Sequence, residues 1–269
     1  IKIIIGPVFN ENLIYLNKLN EVIFLSLTNK NKKFSKNIIN AGINSTSQLN
    51  AIKKFIKLNK IEKTIFLTPD VGFKSEIEEA ISNSKIKILK NYIYDSDPTK
   101  LTKQIEKITR YRIRKQNLED EIVRLEKSDQ ENKERLIERL KKRDTLGGVN
   151  FDSIVISDFD ESLKSVTTSL LYTDISPKNK YFITLNQWFD ESLLVETSAQ
   201  PLYFPSANKN NYDVFSSEYY EKYNEYPNQL SFLSYDLIGL IYYLMLQNNF
   251  IIDNNMFSKK TLFKGKVGI

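Results

Sequence analysis

The sequence predicts a doubly wound α/β protein built on parallel sheets, and three observations carry that prediction. Its strand-like runs, at residues 2–5, 22–27, 64–68, 85–94, 153–157 and 181–185, are continuous and β-rich, as in sheets covered on both faces. Segments with helical periodicity separate most of them, at 10–19, 47–58, 74–82, 161–172 and 189–197, which gives the strand-helix-strand order of a parallel architecture. With 269 residues, 41% of them apolar, the chain can form one large domain or two lobes with separate cores.

The first element is IKIIIGPVFN. Ile3, Ile4 and Ile5 read as a strand buried on both faces, and such an edge left bare would be an aggregation hazard. Gly6 permits a tight turn after it and Pro7 fixes that turn. In doubly wound sheets the ligand crevice lies beyond the carboxyl ends of the strands. GPVFN therefore stands where a ligand or partner would be met, and backbone amides at the start of the next helix suit a carboxylate.

The same rule makes the loops at 26–29, 69–73, 158–160 and 186–190 candidates. The binding residues they offer, with the first loop, are Gly6, Pro7, Phe9, Asn10, Ser26, Thr28, Asn29, Asp70, Phe73, Asp158, Trp188 and Asp190. Ser26, Thr28 and Asn29 suit polar contacts or ordinary caps. Trp188, the one tryptophan, suits stacking on a ligand or anchoring its loop. Asp190 and Glu191 fit a ligand ammonium, and fit the first turn of the following helix better. Asp158 and Asp160 in SDFDES form a near carboxylate pair, read as caps of the helix from Glu161 rather than as an acid-base couple.

One segment breaks the alternation. From Asp97 to Asp144 the chain is highly charged and free of glycine. Leu101, Ile105 and Ile108, then Leu118, Ile122 and Leu125, then Leu136 and Leu140 recur at spacings of three and four, a narrow stripe of the coiled-coil kind. KSDQEN interrupts it, with Ser128 and Glu131 in a capping-box pattern, so two helices at about 98–127 and 129–143 are expected to fold as an antiparallel hairpin. That hairpin is either an arm for a partner or a solvated pair on its own lobe.

The C-terminal third predicts two helices joined at Tyr226-Pro227. LIGLIYYLML, at 237–246, is apolar nearly all round and predicts a buried core helix; it is about half the length of a bilayer span. Tyr219, Tyr220, Tyr223 and Tyr226 follow helical spacing and read as packing residues, and FKGKVGI reads as a loop entering another strand.

Composition narrows the chemistry. Cysteine and histidine are absent, which removes Cys/His zinc sites, thiol nucleophiles and any Ser-His-Asp triad. No G-x-G-x-x-G or Walker pattern occurs, so no nucleotide cofactor is expected. No catalytic residue, metal ligand or cofactor is assigned, and an enzyme is not expected. The net charge of +6 comes from lysine and arginine spread along the chain without one long basic run, so nucleic acid is not an expected partner.

Taken together, IIIGPVFN, FLSLTN, IFLTPDVGF, NQWFDESLL, F-x₃-YYEKYNEYP and LSYDLIGLIYYL resemble type I periplasmic binding proteins of the Leu/Ile/Val-binding-like superfamily. The charged hairpin followed by RDTLGGVNFDSIVI is similar to the branch of bacterial penicillin-binding protein activator lipoproteins, the LpoA type. The resemblance implies the type I fold: two doubly wound lobes with parallel sheets whose strand tips face a shared cleft. Lobe I would comprise 1–44 and 206–262, and lobe II 45–205 with the helical-hairpin insertion at 98–144. Residues 263–269 would start a third crossover, and hinges are expected near 41–44 and 205–208.

It further implies two strand-helix units ahead of the IIGP strand, so lobe I is expected to lack its first β-α units. A membrane would be met only through a lipid anchor in that missing part. Amino-acid-binding relatives place small hydroxyl residues just after Gly-Pro, where Val8, Phe9 and Asn10 stand here, a departure from carboxylate clamping. Two functions are compatible with the resemblance. The first is a periplasmic regulator, in one form an outer-membrane lipoprotein, that activates a peptidoglycan synthase (a penicillin-binding protein) through protein contacts. The alternative is a solute-binding protein of an ABC importer for amino acids or related small molecules.

Overall fold

A computed structural model of the chain describes residues 2–30, 35–185, 193, 195–258 and 263–266, without the side chains of Gln229 and Asn254. The fold is α/β with parallel sheets, and the chain divides into two compact units. One comprises Ile1–Leu49 with Pro205–Ile269, the other Asn50–Phe204.

In the first unit, β1 (Ile3–Ile5), β2 (Ile23–Ser26) and β3 (Ile38–Asn40) form a parallel sheet in chain order. Ile4 lies opposite Phe24, and Phe24 opposite Ile38. β3 was not foreseen, because three residues bounded by polar neighbours give no periodic signal. Its position is fixed from a distance: the buried Asn37 amide donates to the carbonyls of Leu16, Leu19 and Val22 at 3.0 to 3.3 Å. The segment after β1 is a 3₁₀ helix, Asn10–Lys18, rather than the expected α-helix. Asn10, Asn12 and Asn17 are weak helix formers, and Phe9 at the N-cap provides no side-chain cap. Leu13 still packs into the small core with Phe24 and Ile38.

The unit is completed by two helices, α7 (Lys209–Tyr223) and α8 (Gln229–Gln247), capped by the side chains of Asn208 and Asn228. The break between them falls where Pro227 predicted it. α8 is not buried all round. Phe232, Leu233, Leu237 and Leu244 form its buried stripe, whereas Ile238 is 60% and Tyr242 59% exposed. Periodicity could not report this, since a helix apolar on every face carries no stripe to read. By length and composition alone, Leu230–Gln247 also meets the requirement for a membrane span, which the shorter run 237–246 did not. The described part of FKGKVGI forms no strand; Phe263 packs on Gly239 and the Tyr243 ring.

The second unit holds a five-stranded, wholly parallel sheet. Its strands are β4 (Thr64–Pro69), β5 (Lys90–Tyr94), β6 (Ser153–Ile156), β7 (Tyr181–Thr184) and β8 (Leu202–Tyr203), in spatial order β5-β4-β6-β7-β8. β4 and β6 are buried throughout, which is why their sequences TIFLTP and SIVI show no polar alternation. The strand expected from residue 85 begins only at Lys90. Lys85 ends α2 (Lys74–Ser84) in a left-handed conformation with φ 52°, so the chain must turn before it can pair. β8, two residues long, escaped notice for the same reason as β3.

α1 (Ser45–Leu58), α2, α3 (Pro98–Ile108) and α6 (Asp160–Tyr172) flank the strands in sequence. Leu101 and Ile105 of α3 meet Leu163, Val166 and Leu170 of α6 over Ile154, Ile156 and Phe182 of the sheet. The helix expected at 189–197 falls mostly outside the described residues.

The charged segment departs from the two-helix expectation. It forms three helices, α3, α4 (Tyr111–Glu126) and α5 (Lys133–Lys141). Asp97 and Pro98 start α3 as an N-cap pair, and Thr109 ends it, its hydroxyl donating to the Ile105 carbonyl at 2.8 Å. Arg110 then takes a left-handed conformation at φ 54°, which no helix can continue through. The expected capping box does not form: the Ser128 hydroxyl bonds back to the Leu125 carbonyl at 2.8 Å. α3 is therefore a core crossover helix, and the hairpin is α4–α5 alone. None of the residues of α5 is buried.

Candidate functional site

The order β5-β4-β6-β7-β8 reverses direction between β4 and β6, so the carboxyl ends of those two strands flank a topological switch point. Asp70 and Phe73 follow β4 there, and Ser157 and Asp158 follow β6. The rings of Phe73 and Phe159 meet edge to face across the two loops with centroids 6.0 Å apart. Asp70 pairs with Lys74 at 2.8 Å on the exposed side, and its N–H donates to the Tyr94 carbonyl.

Asp158 is only 6% exposed. One carboxylate oxygen accepts the Tyr94 hydroxyl in a short hydrogen bond, and the other accepts the Phe159 N–H at 2.9 Å. Burial pushes the Asp158 carboxyl above the usual carboxylate range, against the opposing pull of those two hydrogen bonds, and the Asp160 charge adds to the rise. Burial, and then the Asp158 charge, drive the Tyr94 phenol far upward. Asp158 is thus a structural anchor between β5 and β6 rather than a cap of α6, whose N-cap position is Phe159. Asp160 begins that helix with φ 49° and does not pair with Asp158.

Ser157, which sequence reasoning missed, is fully buried, and its hydroxyl has no hydrogen-bond partner among the described residues. Its signal was its place: the residue directly after SIVI, at the carboxyl end of a central strand.

The first unit's strand ends are built around Gly6, whose φ of 123° favours glycine. A cis peptide joins Gly6 to Pro7. The Pro7 carbonyl accepts both the Leu27 N–H at 3.1 Å and the Ser26 hydroxyl at 3.0 Å. Ser26 also accepts the Thr28 N–H, and Thr28 accepts the Lys30 N–H, so both hydroxyls serve the loop. Gly42 lies against this turn so closely that a Cβ there would stand 2.1 Å from the Thr28 carbonyl oxygen. Phe9 points outward, 69% exposed, and Asn29 is exposed. The Asn10 side-chain oxygen is buried without a partner among the described residues.

Of the sequence-predicted residues, the structure brings Gly6, Pro7, Ser26 and Thr28 into one turn cluster and Asp70, Phe73 and Asp158 onto one rim. Trp188 and Asp190 lie outside the described residues. Among the described residues no group of acidic side chains is arranged to hold a metal ion.

Solved structures of the same fold are numerous. The chain aligns over 100% of its length with a leucine-binding protein from Thermotoga maritima, at 14% identity and a TM-score of 0.53, covering 71% of that chain. It aligns over 99% with a branched-chain amino acid ABC transporter periplasmic ligand-binding protein from Burkholderia xenovorans, at 10% identity and a TM-score of 0.63, covering 66% of that chain. It also aligns over 99% with an ABC-transporter solute-binding protein from R. palustris in complex with 4-hydroxybenzoate, at 11% identity and a TM-score of 0.55, covering 68% of that chain. No family model and no curated protein matches the sequence. The class is therefore defined by fold: this is the type I periplasmic-binding-protein fold. The chain spans about two thirds of the length of those three structures.

Proposed function

We propose that this chain is a solute-binding protein, located in the periplasm or outside the cell, that holds a small amino acid or organic acid at its strand ends and serves an ABC importer. The observation that carries the reading is the switch point of the second sheet. Ser157 stands there with a buried hydroxyl unused by the described residues, next to an aromatic pair and an anchored carboxylate. The named neighbours support it: a leucine-binding protein, a branched-chain amino acid ligand-binding protein and a solute-binding protein in complex with 4-hydroxybenzoate. Asp70, Phe73 and Ser157, at the strand ends of the second unit, are the proposed contacts.

The test is a thermal-shift and calorimetric panel of amino acids and aromatic acids. A true ligand at a hundredfold excess over Kd should stabilise the chain by about 2.7 kcal/mol. Ser157→Ala should weaken it about tenfold through one lost hydrogen bond. A panel without any stabilising member would refute the reading.

Activation of a peptidoglycan synthase is the second reading, favoured by the α4–α5 hairpin, whose α5 has no buried residue. It is weaker, because the segment expected to form one hairpin over 98–143 is divided between a core helix and a shorter hairpin. Deleting 111–141, with α3 retained, should abolish capture of such a synthase if this reading holds; unchanged capture would reject it.

A further inference from the structure

We propose that the elbow between α3 and α4 is a docking surface for an acidic segment of a partner protein. The inference goes beyond solute binding and stands or falls separately from it. At the elbow, Lys103, Lys107, Arg110 and Arg112 surround a hollow of about 390 Å³ whose remaining walls are Glu106 and Ile113. Lys103 and Lys107 lie four residues apart on one face of α3, and Arg110 follows at the elbow beyond its end. Glu106 is already occupied by Arg112, whose Nε lies 3.1 Å away. Lys103, Lys107 and Arg110 have no carboxylate within ion-pair distance among the described residues.

Three exposed cations around one hollow repel one another, and the one carboxylate in its wall, Glu106, is already engaged by Arg112. A carboxylate-rich partner supplies the missing charge, and complementarity of this kind governs association rate and partner choice. The surface is also fixed in advance. The buried Arg114 guanidinium reaches the Thr109 carbonyl at 3.4 Å, and the Thr109 hydroxyl binds the Ile105 carbonyl, so the left-handed Arg110 is braced from the helix before it and the helix after it. A braced backbone loses little conformational freedom on binding, so the ordering cost falls on the cationic side chains. Ile113, half exposed, and the aliphatic stems of the lysines line the hollow with apolar surface. The fitting segment therefore carries Asp or Glu residues around a Leu-like side chain. A concave receptor of this kind accepts an inserted side chain, whereas a lipid surface needs cations on a protruding face.

The test uses the full 269-residue chain and a fluorescein-labelled peptide of Asp, Glu and Leu, followed by anisotropy at low salt. Saturable binding is expected. The triple variant Lys103→Glu, Lys107→Glu, Arg110→Glu should weaken it by about tenfold or more, and so should 0.5 M salt. The control variant Lys54→Glu, Lys57→Glu, Lys60→Glu, with the same change in charge on exposed positions of α1 and the turn after it, should change it by no more than about twofold. Equal losses in both variants would show attraction to net charge alone and overturn the proposal. Binding to phosphatidylglycerol vesicles without binding to the peptide would overturn it too. A benzophenone-bearing peptide on the unaltered chain should cross-link within 103–113, and cross-links confined elsewhere would sink the idea independently of how any variant folds.

Discussion

Arg114 on α4 donates through Nη2 to the Thr145 hydroxyl at 2.7 Å, linking two residues 31 apart in the chain. The same guanidinium reaches the Thr173 carbonyl at 3.2 Å and Asp174 at 3.4 Å, and the Leu146 N–H returns a bond to the Arg114 carbonyl. The RDTLGG segment is thereby fastened to α4 and to the end of α6. Its threonine is explained by this clasp rather than by contact with a partner.

Arg114→Ala should therefore be costly. It strips the Thr173 carbonyl of its buried donor and leaves the Thr145 hydroxyl with its bond to Asp174 alone, and an orphaned buried group costs about 1–3 kcal/mol. We expect a loss of about 3 kcal/mol in urea denaturation on those grounds. Arg114→Lys should rescue little, because one ammonium cannot reproduce the guanidinium fork. Asp174→Asn should cost under about 1 kcal/mol, since Asp174 is half exposed. Equal costs for the Arg114 and Asp174 variants would show that the clasp is not the source of stability.

The Tyr94–Asp158 pair predicts a pH dependence with a definite sign. The folded-state pKa of Asp158 lies above its ordinary value, so the folded chain binds this proton more tightly than the unfolded chain. Asp158 therefore adds stability as pH falls through its raised pKa toward the ordinary value of about 3.9, and that contribution is lost as pH rises. Tyr94→Phe removes the hydroxyl that favours the ionised form. It should raise the Asp158 pKa further and cost about 1–3 kcal/mol near pH 7, with a smaller cost near pH 4.5. Asp158→Asn should flatten this part of the profile. Denaturation of the three proteins at several pH values checks it; a Tyr94→Phe cost that grows as pH falls would contradict the assignment.

Two glycines should respond oppositely to alanine. At Gly42 the new Cβ would fall 2.1 Å from a backbone oxygen that cannot swing aside, so a cost of about 1–3 kcal/mol is expected. At Gly72 nothing lies within 4 Å and the backbone is not left-handed. Gly72→Ala should be neutral or stabilising by up to about 1 kcal/mol through the unfolded chain. Thermal unfolding of both variants decides the point, and similar shifts for the two would show that the close packing at Thr28 is not a constraint.

Much of the second unit's architecture was legible in sequence. TIFLTP, SIVI and YFIT are continuous apolar runs because their strands are central or nearly so, and SDFDES and DVGF mark loops because they sit where such strands end. What escaped was short or decided by neighbours. β3 and β8 carry too few residues for a period, and Ser157 looks like any serine until its surroundings are known. The stripe from Leu101 to Leu125, read as one helix, also misled. It runs across an elbow, and a hydrophobic pattern does not reveal a left-handed residue in its path.

The sequence by itself determined the class of the fold, because alternation of buried strands with amphipathic helices depends on local periodicity that backbone geometry imposes. Only the tertiary structure decided the strand order that creates the switch point, the burial of Arg114 and Asp158, and the open face of α8. Those depend on which surfaces meet across tens of residues, and such meetings are set by packing and desolvation between distant segments, which no local pattern encodes.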